Sequence, residues 1–516
     1  MNPFPRSPPK LRYPKILFHQ LLEEAADRDA DAVALLFEED RFTFGDLDRR
    51  SNALARSLRD HGVGPGTRVA LYAKNRPEWV LSLFAISKLG ASAVLLSSAW
   101  RAGELEHAFS LTGPRFIVVD ADLLEFVLEA SFEGEPIVLG EPVSAGIAFD
   151  DLAKTSSDTR LNLRFDPETT EVALPFSSGT TGLPKAVRHT HRSLVVAAHQ
   201  WRIALSLGRR DCIQTYTPLA HILGVANVGA GIAAGARNRL FSAFDLETVL
   251  RSVERDRVTI GIAVAPVALA MSNHPTIEDF DLSSLRFFDW CATPIVSEVA
   301  KRFTRRTGIP WHTAYGCTEA PILTANPPDR PDRWRLDTAG VPGADVEMQI
   351  IDPETHESLP PGQPGEVIVR GPNLMQGYLP ESANEEAFLP GRWYRTGDIG
   401  WVEPEGWLHI TDRLKEMIKV SGFQVAPGEI EAVLLAHKDV VDCAVFGVAD
   451  ENRGHVPRAA VVLREGAAPE EEELLGVVSG RLARYKWPVA IDFVSEIPRT
   501  ASGKALRRIL SERAEA

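Results

Sequence analysis

Apolar runs typical of buried strands alternate with helical segments through the first half of the chain. Thr43 has the character of an N-cap, and the helix that it opens should end near Gly62. Strand-like runs follow at 68–73, 92–96 and 116–119, separated by helical runs at 77–89 and 104–111. The alternation resumes at 194–205, 213–218, 246–255 and 259–264. Strands separated by helices predict a parallel, doubly wound α/β sheet with helices on both faces.

The pattern changes after about residue 340, where short strand-like runs lie between Pro and Gly turns. These runs, at 346–351, 366–370 and 407–410, predict a smaller, mostly β subdomain. From Asp412 onward the order is strand, turn, strand and helix, which predicts a small α+β domain. We therefore expect a large N-terminal domain of residues 1–412, made of doubly wound mixed sheets plus the β subdomain, and a C-terminal domain of residues 413–516.

Size and charge narrow the possible functions. A chain of 516 residues exceeds what one hydrophobic core ordinarily serves. Its formal net charge of -14 argues against nucleic acid and anionic membranes as partners, because an acidic surface repels phosphates. The N-terminus lacks the apolar region of a signal peptide, and the longest apolar run, 258–271, is too short to span a bilayer. The four cysteines show no CxxC pair, which favours a cytoplasmic protein without a zinc or disulfide framework.

A polar loop rich in hydroxyls and glycines is the strongest chemical feature of the sequence. It reads Ser-Ser-Gly-Thr-Thr-Gly-Leu-Pro-Lys from Ser177 to Lys185 and lies between two apolar, strand-like segments. Hydroxyls and glycine NH groups at this density can wrap a polyphosphate, and the lysine adds a cation. It is not a Walker loop, because Gly182 is not followed directly by Lys and then Ser or Thr. A flexible linker is the alternative, although linkers rarely lie tightly between two apolar segments.

Together with four later motifs, this loop resembles the phosphate loop of the adenylate-forming superfamily. That superfamily includes acyl-CoA synthetases, 4-coumarate–CoA ligases, firefly-type luciferases and the adenylation domains of peptide synthetases. The later motifs follow in the order of the family: Tyr315-Gly316-Cys317-Thr318-Glu319, Tyr394-Arg395-Thr396-Gly397-Asp398, Asp412-Arg413-Leu414-Lys415-Glu416 and Pro498-Arg499-Thr500-Ala501-Ser502-Gly503-Lys504. One motif alone is a weak signal, but five motifs in the same order are a strong one. The resemblance covers nearly the whole chain. The resemblance implies an AMP-forming acid–thiol ligase with ATP, Mg²⁺ and coenzyme A.

The resemblance implies how the nucleoside is held. Tyr315 can offer its ring to adenine, and the segment 292–294 is similar to the one that lines the other side of the base. Asp398, acceptor-only when ionised, suits the ribose hydroxyls, with Arg413 as its helper; an Asx-turn is the alternative. The expected nucleotide contacts are Ser177, Ser178, Gly179, Thr180, Thr181, Gly182, Lys185, Ala292, Thr293, Pro294, Ala314, Tyr315, Gly316, Cys317, Thr318, Asp398, Arg413 and Lys504.

The phosphates and the metal are assigned in the same way. Thr318 can donate to a phosphate oxygen. Glu319 is a hard oxygen ligand that can hold Mg²⁺ bridging the ATP phosphates, and by resemblance Ser177 helps to hold that metal. The alternative for this motif is a solvated turn in which the glutamate is only a surface charge.

Two further residues are implied to act on the acid. Lys504 should enter the N-terminal site and contact both the acid's carboxylate and the α-phosphate, neutralising charge as two anions meet; a mobile basic tail is the alternative. His221 resembles the histidine that closes the acid pocket, whereas a lone histidine beside apolar residues is more often part of a core. The expected acyl pocket is His221, Leu223, Gly224, Trp290 and Cys291.

The second half-reaction should use another face of the C-terminal domain, after rotation about a hinge. By resemblance Lys415 is the hinge, and Lys419, Ser421, Gly422 and Gln424 lie on the face for thioester formation. The expected catalytic set is Lys504, Thr318, Glu319, His221, Lys419 and Gln424. Relatives often carry a CoA-binding lysine where this chain has 242–244, and Arg237 or Arg239 could substitute for it.

The acid and its acceptor are the least constrained. Cys291 stands where many relatives have glycine, so the acyl pocket should be narrowed or redirected. We expect an apolar short- or medium-chain acid, as in fatty acid metabolism, with a compact aromatic acid as the alternative. A stand-alone enzyme loading a carrier protein, a non-catalytic AMP-binding protein and a luciferase-type oxygenase remain open. The expected partners are small molecules, and the protein is a monomer or a homodimer.

Overall fold

The computed structural model describes residues 10–140, 146–154, 157–177, 184–293, 295–414, 416–420, 423–450, 453–500 and 503–515, with only the backbone at 423, 424 and 515. The helices are α1 (Gln20–Arg28), α2 (Phe44–Asp60), α3 (Pro77–Lys88), α4 (Ala102–Thr112), α5 (Leu124–Glu129), α6 (Phe149–Ala153), α7 (His191–Ala204), α8 (Ile222–Ala234), α9 (Leu246–Asp256), α10 (Ala265–Asn273), α11 (Ser297–Thr307), α12 (Asn384–Ala387), α13 (Pro427–Leu435), α14 (Glu471–Ser479) and α15 (Arg507–Glu515).

The strands are β1 (Val33–Phe37), β2 (Asp40–Thr43), β3 (Arg68–Tyr72), β4 (Ser92–Leu95), β5 (Phe116–Asp120), β6 (Glu135–Leu139), β7 (Ile147–Ala148), β8 (Glu171–Ser177), β9 (Lys185–Thr190), β10 (Cys212–Thr215), β11 (Arg237–Leu240), β12 (Ile260–Ala263), β13 (Phe287–Trp290), β14 (Trp311–Cys317), β15 (Ala320–Ala325), β16 (Val341–Pro342), β17 (Glu347–Ile351), β18 (Gly365–Arg370), β19 (Gly377–Leu379), β20 (Phe388–Leu389), β21 (Trp393–Val402), β22 (Leu408–Arg413), β23 (Ile418–Val420), β24 (Phe423–Val425), β25 (Val440–Asp450), β26 (Gly454–Leu463) and β27 (Ile491–Phe493).

Two large mixed sheets form the body of the protein. The first runs β16-β15-β14-β13-β12-β10-β11-β1-β2, and its central strands are parallel while β2, β15 and β16 are antiparallel. The second runs β19-β9-β8-β4-β3-β5-β6-β7, with β9 and β19 antiparallel. Helices α1, α2, α3, α7 and α8 bury their apolar faces with residues of both sheets in one core. Burial of so much apolar surface holds the two sheets together.

Local sequence explains where the helices begin. Thr43 caps α2 as predicted: its hydroxyl accepts from the Asp46 backbone N–H at 3.0 Å, and the Asp46 carboxylate accepts from the Thr43 N–H at 3.0 Å. Helix α8 is buried along its whole length and packs closely because of its glycines. A β-carbon on Gly224 would lie 2.5 Å from the Pro218 carbonyl oxygen, so this position must be glycine.

Two smaller sheets follow in the chain. Strands β17, β18, β20, β21 and β22 form an antiparallel sheet, which is the β subdomain expected after residue 340. Strands β23 to β27 form the last sheet, and α13, α14 and α15 belong to the same part of the chain. No helix in the described ranges has the length and apolar character needed to cross a membrane.

The predicted α/β class with a β subdomain and a small α+β end is confirmed. The apolar run 258–271 is β12 followed by α10, as expected. The prediction of a parallel sheet misses the edges: β9 is antiparallel to β8, and the seven residues between them are too few for a parallel crossover. Ser177 and Lys185, the two ends of the phosphate-loop motif, therefore lie opposite each other on neighbouring antiparallel strands.

Candidate active site

One cavity of about 1070 Å³ gathers residues from all five motifs. It is bordered by both large sheets, the β subdomain and the last part of the chain. The motif residues on its wall are Ser177, Lys185, Tyr315, Gly316, Cys317, Thr318, Glu319, Tyr394, Arg395, Thr396, Gly397, Asp398, Asp412, Arg413, Leu414, Glu416, Arg499, Gly503 and Lys504. Five loop residues of the prediction, Ser178, Gly179, Thr180, Thr181 and Gly182, lie outside the described residues. Positions more than 300 residues apart in the chain therefore meet at a single space.

Ser177 and Lys185 are paired across the β8–β9 hairpin and bracket the predicted phosphate loop. The Lys185 ammonium lies 5.2 Å from the centre of the Tyr378 ring, on its face. A cation in this position is attracted by the ring while its charge remains available to an anion in the cavity. The hairpin thus places a hydroxyl and a cation at the same edge of the cavity.

Thr318 and Glu319 are the two turn residues between β14 and β15, because Cys317 pairs with Ala320. Glu319 is only 6% exposed and is not a surface charge. Its Oε1 accepts a hydrogen bond from the Tyr378 hydroxyl at 2.6 Å. The Tyr394 hydroxyl lies 3.0 Å from that of Tyr378. The carboxylate is thus held in one orientation, toward the cavity.

His189 supports the same turn from behind. Its Nε2 is 2.8 Å from the Thr318 carbonyl oxygen, so this nitrogen carries the proton and donates. Burial lowers the pKa of His189 to about 4, which leaves the ring neutral near pH 7. Neither His189 nor Tyr378 was identified from the sequence, because each lies in another segment of the chain.

Asp398 is held between a phenol and a guanidinium. The Tyr315 hydroxyl donates to its Oδ2 at 2.5 Å, and the Arg413 Nε lies 2.8 Å from its Oδ1. The Asp398 side chain is 5% exposed, and its charge raises the pKa of Arg413 further. Each carboxylate oxygen retains a second lone pair for another donor. The Asp398 and Arg413 pairing predicted by resemblance is present as geometry, while the ribose role stays a prediction.

The turn that presents Asp398 is built from its own motif. Thr396 donates from Oγ1 to the Val367 carbonyl at 2.7 Å and accepts from the Asp398 N–H at 3.1 Å. Gly397 has a φ of +69°, in the left-handed region that favours glycine. The Asx-turn alternative does not describe this residue, since its carboxylate is bound to Tyr315 and Arg413.

The segment expected beside adenine is fixed by Thr293. Its Oγ1 accepts from the Ala265 N–H at 2.8 Å and from the Trp290 indole at 3.3 Å. Ala292 has a φ of +60° and is exposed on the cavity wall. The left-handed conformation costs a residue with a β-carbon energy, so packing around Thr293 must hold it. Pro294 lies outside the described residues.

His221 caps α8 at the cavity. Its Nδ1 accepts from the Leu223 N–H at 3.2 Å, so Nε2 carries the proton of the neutral ring. Burial lowers the pKa of His221 to about 4. The imidazole is therefore an uncharged hydrogen-bond donor near pH 7.

The other residues predicted for the acyl pocket lie in two different hydrophobic clusters. Leu223 and Cys291 pack with Trp201 and Ile322 on one side of the first sheet, and all four border the cavity. Trp290 packs instead with Trp311 in another cluster, with ring centres 5.3 Å apart, and borders the cavity from there. Cys291, where the sequence comparison expects glycine in many relatives, therefore lies on the same part of the cavity wall as Trp201.

Gly224 does not border the cavity, since its α-carbon faces the Pro218 backbone. This packing corrects the expected role of Gly224 in the acyl pocket.

A buried ion pair lies behind this wall. His312 Nδ1 is 2.7 Å from Asp289 Oδ1, and its Nε2 is 3.1 Å from the Asn326 carbonyl oxygen, so Nε2 must carry a proton. The pair is then electrically neutral overall, wherever its second proton resides. Burial and the Asp289 carboxylate hold the pKa of the Cys291 thiol well above its usual range. Cys291 is thus an uncharged thiol.

Lys504 reaches the cavity from a tight turn. The Lys504 N–H donates to Thr500 Oγ1 at 3.1 Å, and the Thr500 N–H donates to the Lys504 carbonyl at 2.8 Å. Gly503 lies against Pro266, at the start of α10, so this turn touches the large part of the protein. The Lys504 Nζ is 2.9 Å from Glu416 Oε1. The mobile-tail alternative does not fit this arrangement.

Among the residues expected for thioester formation, Lys419 is the one whose side chain lies in the described part of the chain. Lys419 is exposed on β23 and does not border the cavity that holds Lys504. It pairs across β23 and β24 with Gln424, whose side chain lies outside the described residues, as do Lys415, Ser421 and Gly422. Arg239 is 3% exposed and bound to Asp256 at 2.7 Å, so it cannot replace the missing CoA-binding lysine.

The cavity has oxygen ligands suited to Mg²⁺. Glu319 offers a carboxylate, and Ser177 and Thr318 offer hydroxyls on the same wall. Within the described ranges, no group of three or more His, Cys, Asp or Glu side chains could hold a metal ion alone. Mg²⁺ commonly binds one or two carboxylates together with substrate phosphates, so this donor set fits it.

Comparison with known proteins gives a consistent match. The AMP-binding enzyme family matches residues 22–379, and the AMP-binding enzyme C-terminal domain matches residues 429–504. The 4-coumarate–CoA ligase 2 of Nicotiana tabacum is 34% identical over 484 residues, which is 91% of this chain and 89% of that protein.

Solved structures match at a similar level. An anthranilate CoA ligase solved with anthranoyl-AMP is 27% identical with a TM-score of 0.90, covering 98% of both chains. The o-succinylbenzoate coenzyme A synthetase of Bacillus subtilis, solved with ATP and magnesium ion, is 29% identical with a TM-score of 0.82. That match covers 95% of this chain and 98% of the other.

Proposed function

Because the chain belongs to the family of AMP-binding enzymes, we propose that it is an AMP-forming carboxylic acid–CoA ligase. In the first half-reaction a carboxylate oxygen of the acid attacks the α-phosphate of ATP, and pyrophosphate leaves. In the second, the thiol of coenzyme A attacks the acyl carbon of the acyl-AMP, and AMP leaves. The observation that carries this proposal is that Ser177, Lys185, Glu319, Asp398 and Lys504 border one cavity.

The nucleotide is proposed to lie across the β14–β15 hairpin. Tyr315 borders the base, and Asp398 receives the ribose hydroxyls with its remaining lone pairs. Lys185 and the Thr318 hydroxyl face the phosphates. Mg²⁺, held by Glu319 with Ser177, would neutralise charge on the departing pyrophosphate.

Lys504 and His221 are proposed to act on the acid. The Lys504 ammonium neutralises charge as the carboxylate approaches the α-phosphate. The neutral His221 donates from Nε2 to a carboxylate oxygen and fixes its orientation, since its Nδ1 is already bound to the helix. Alignment of two anions in one cavity is the main contribution of the protein.

The acid is proposed to be apolar. Trp201, Leu223, Cys291 and Ile322 border the cavity without a charge, and the Trp201 indole N–H is bound to Asn227 at 2.7 Å. Flat aromatic acids suit a wall that contains a tryptophan, and relatives are named for aromatic acids. A compact aromatic acid therefore comes before a short- or medium-chain fatty acid in our proposal.

Two domains are proposed to alternate between the half-reactions. Residues 1–412 bind the nucleotide and the acid, and residues 413–516 turn about Lys415. The position of Lys504 at the cavity, with Lys419 outside it, supports this alternation, because adenylation as proposed needs Lys504 and not Lys419. A rotation would bring Lys419, Gly422 and Gln424 toward the acyl-AMP for thiol attack.

The proposal is tested by exchange of labelled pyrophosphate into ATP across a panel of aromatic and fatty acids, followed by addition of CoA. Acid-dependent exchange with acyl-CoA formation supports it. Exchange without any use of CoA favours the carrier-protein alternative, and AMP binding without exchange favours the non-catalytic one.

The assignment of Lys504 has its own test. Lys504→Ala should slow adenylation by on the order of 10²–10³ while sparing thiolysis of supplied acyl-AMP, because the lysine neutralises charge only in the first step. Lys438→Ala, an exposed lysine of the same domain, is the matched control. An equal loss of both half-reactions would refute the two-face arrangement.

A further inference from the structure

The side chain that holds Lys504 belongs to none of the roles above. Glu416 Oε1 lies 2.9 Å from the Lys504 Nζ, and its Oε2 is bound by the Arg507 Nη1. Both partners line the same cavity, and the Glu416 side chain is only 19% exposed. We propose that Glu416 is a positioning residue that fixes the Lys504 ammonium for adenylation. This inference rests on the proposed function.

Glu416 is itself rigidly supported. Arg507 reaches it from the first turn of α15, donates from Nε to the Val445 carbonyl at 2.9 Å, and lies 2.8 Å from Glu431 Oε1 through Nη2. Glu431 Oε1 also accepts from the Val445 N–H at 2.8 Å. A carboxylate clamped in this way acts as a fixed support, not as a loose counter-ion that a substrate would displace.

The need for such a support follows from the lysine side chain. The lysine side chain has four rotatable bonds, so fixing the position of its ammonium costs rotamer entropy. The hydrogen bonds between Thr500 and Lys504 fix only the main chain of Lys504, and Arg499 supports it by donating to the Gly503 carbonyl at 2.8 Å. Glu416 fixes the other end of the side chain. The entropy of the lysine side chain is therefore lost before the substrates bind, and binding does not have to order it.

The pair should survive the proposed rotation. Glu416 follows the predicted hinge at Lys415, so it travels with Lys504, Arg507 and Glu431 as one unit. The ammonium therefore arrives at the cavity already oriented each time the domain returns. A contact made across the two domains would have to be rebuilt in every cycle.

The test is a double-mutant cycle on the two half-reactions. Glu416→Gln should lower kcat for acid-dependent pyrophosphate exchange about 10-fold, with the KM for ATP changed less than about 2-fold, because placement and not binding is lost. Thiolysis of supplied acyl-AMP should stay within about 2-fold of wild type and serves as the check on folding. In a Lys504→Ala background the same change should have almost no further effect, since Glu416 acts through Lys504.

Two further variants sharpen the comparison. Asp492→Asn removes a similar ion pair, with Arg458 at 2.7 Å, in the same small sheet and should leave both half-reactions unchanged. Glu416→Asp keeps the charge but is too short to hold both Lys504 and Arg507, so it should fall between wild type and Glu416→Gln.

The results that would contradict this inference can be distinguished from one another. Equal, additive losses in the presence and absence of Lys504 would mean a structural role and overturn the inference. A lower KM for ATP with undiminished kcat would mean that Glu416 competes with substrate, which also overturns it. A loss in Lys504→Ala with normal exchange in Glu416→Gln overturns this inference alone, and normal exchange in both variants overturns the role of Lys504 as well. The proposed function itself fails only if the wild-type protein shows no acid-dependent exchange.

Discussion

Lowering the pH should destabilise the large part of this protein, because the pKa values of five histidines there lie well below the ordinary value of 6.5. His19, His189 and His191 are each 5% exposed or less. Burial lowers the pKa of His189 from 6.5 to about 4 and that of His191 to about 3. Burial and the nearby Lys88 ammonium lower the pKa of His19 well below 6.5. His191 also accepts a hydrogen bond at Nδ1 from the Phe18 N–H at 3.0 Å, which protonation would break.

The sign follows from proton uptake. Between the folded pKa and 6.5 the unfolded chain binds more protons, so the free energy of unfolding falls as the pH falls. The contribution is complete above pH 6.5 and is lost progressively toward the folded values near 4 and 3. His199 and His221, whose pKa values burial lowers to about 4, behave in the same way. Because an unfolded histidine titrates near pH 6.5, each of the five groups removes about 1.4 kcal/mol between pH 7.5 and 5.5, which is about 7 kcal/mol in all. Burial raises the pKa of Asp412 to about 6, which acts in the opposite direction and offsets about 1 kcal/mol.

The expected net loss is about 6 kcal/mol, a large share of the 5–15 kcal/mol typical of folded proteins. Urea denaturation at pH 7.5 and 5.5, followed by tryptophan fluorescence, measures it, since nine of the ten tryptophans precede residue 412. His191→Asn keeps an acceptor for the Phe18 N–H but cannot titrate, so the drop should shrink by about 1.4 kcal/mol, roughly a quarter. An equal or higher free energy of unfolding at pH 5.5 would show that these rings are not buried as neutral groups.

Two substitutions in the cavity separate stability from activity. Tyr378→Phe keeps the ring under Lys185 but removes the hydroxyl that donates to Glu319. Urea denaturation should therefore show a free energy of unfolding lower by about 1.5–3 kcal/mol, and half-maximal pyrophosphate exchange should need more Mg²⁺. An unchanged Mg²⁺ requirement would contradict the orienting role of this tyrosine. Cys291→Phe fills the space beside Trp201, so pyrophosphate exchange should fall while AMP binding, measured by calorimetry, is retained; loss of both would instead indicate a distorted cavity.

Local signals in the sequence located the helices and strands that have a clear cap or a clear apolar run. Thr43 marked α2 because a side-chain cap is a property of neighbouring residues, and Pro77 marked α3 in the same way. Strand direction was less accessible, because a strand's residues look alike in either direction. The short connection from Ser177 to Lys185 was the available signal for an antiparallel pair, since it is too short to cross over.

The residues of the candidate active site also differ in how far local sequence could predict them. The motif residues were found because each motif is contiguous, and their spacing survives in the sequence. Tyr378 was missed because it meets Glu319 from 59 positions away, which only the fold brings together. Arg239 was misjudged for the same reason: its partner Asp256 lies on α9, and a buried ion pair cannot be read from either residue alone.

The cavity also shows how a chain with a net charge of -14 can bind a polyphosphate and an acid. Its cations already have partners: Arg413 is bound by Asp398, Lys504 by Glu416, and Lys185 lies on a tyrosine ring. No strongly positive surface is therefore required of the free protein. Each of these partners covers only one side of its cation. The other side of the cation can still contact an incoming phosphate or carboxylate. Local pairing of charge, more than net charge, is what lets this acidic protein accept anionic substrates.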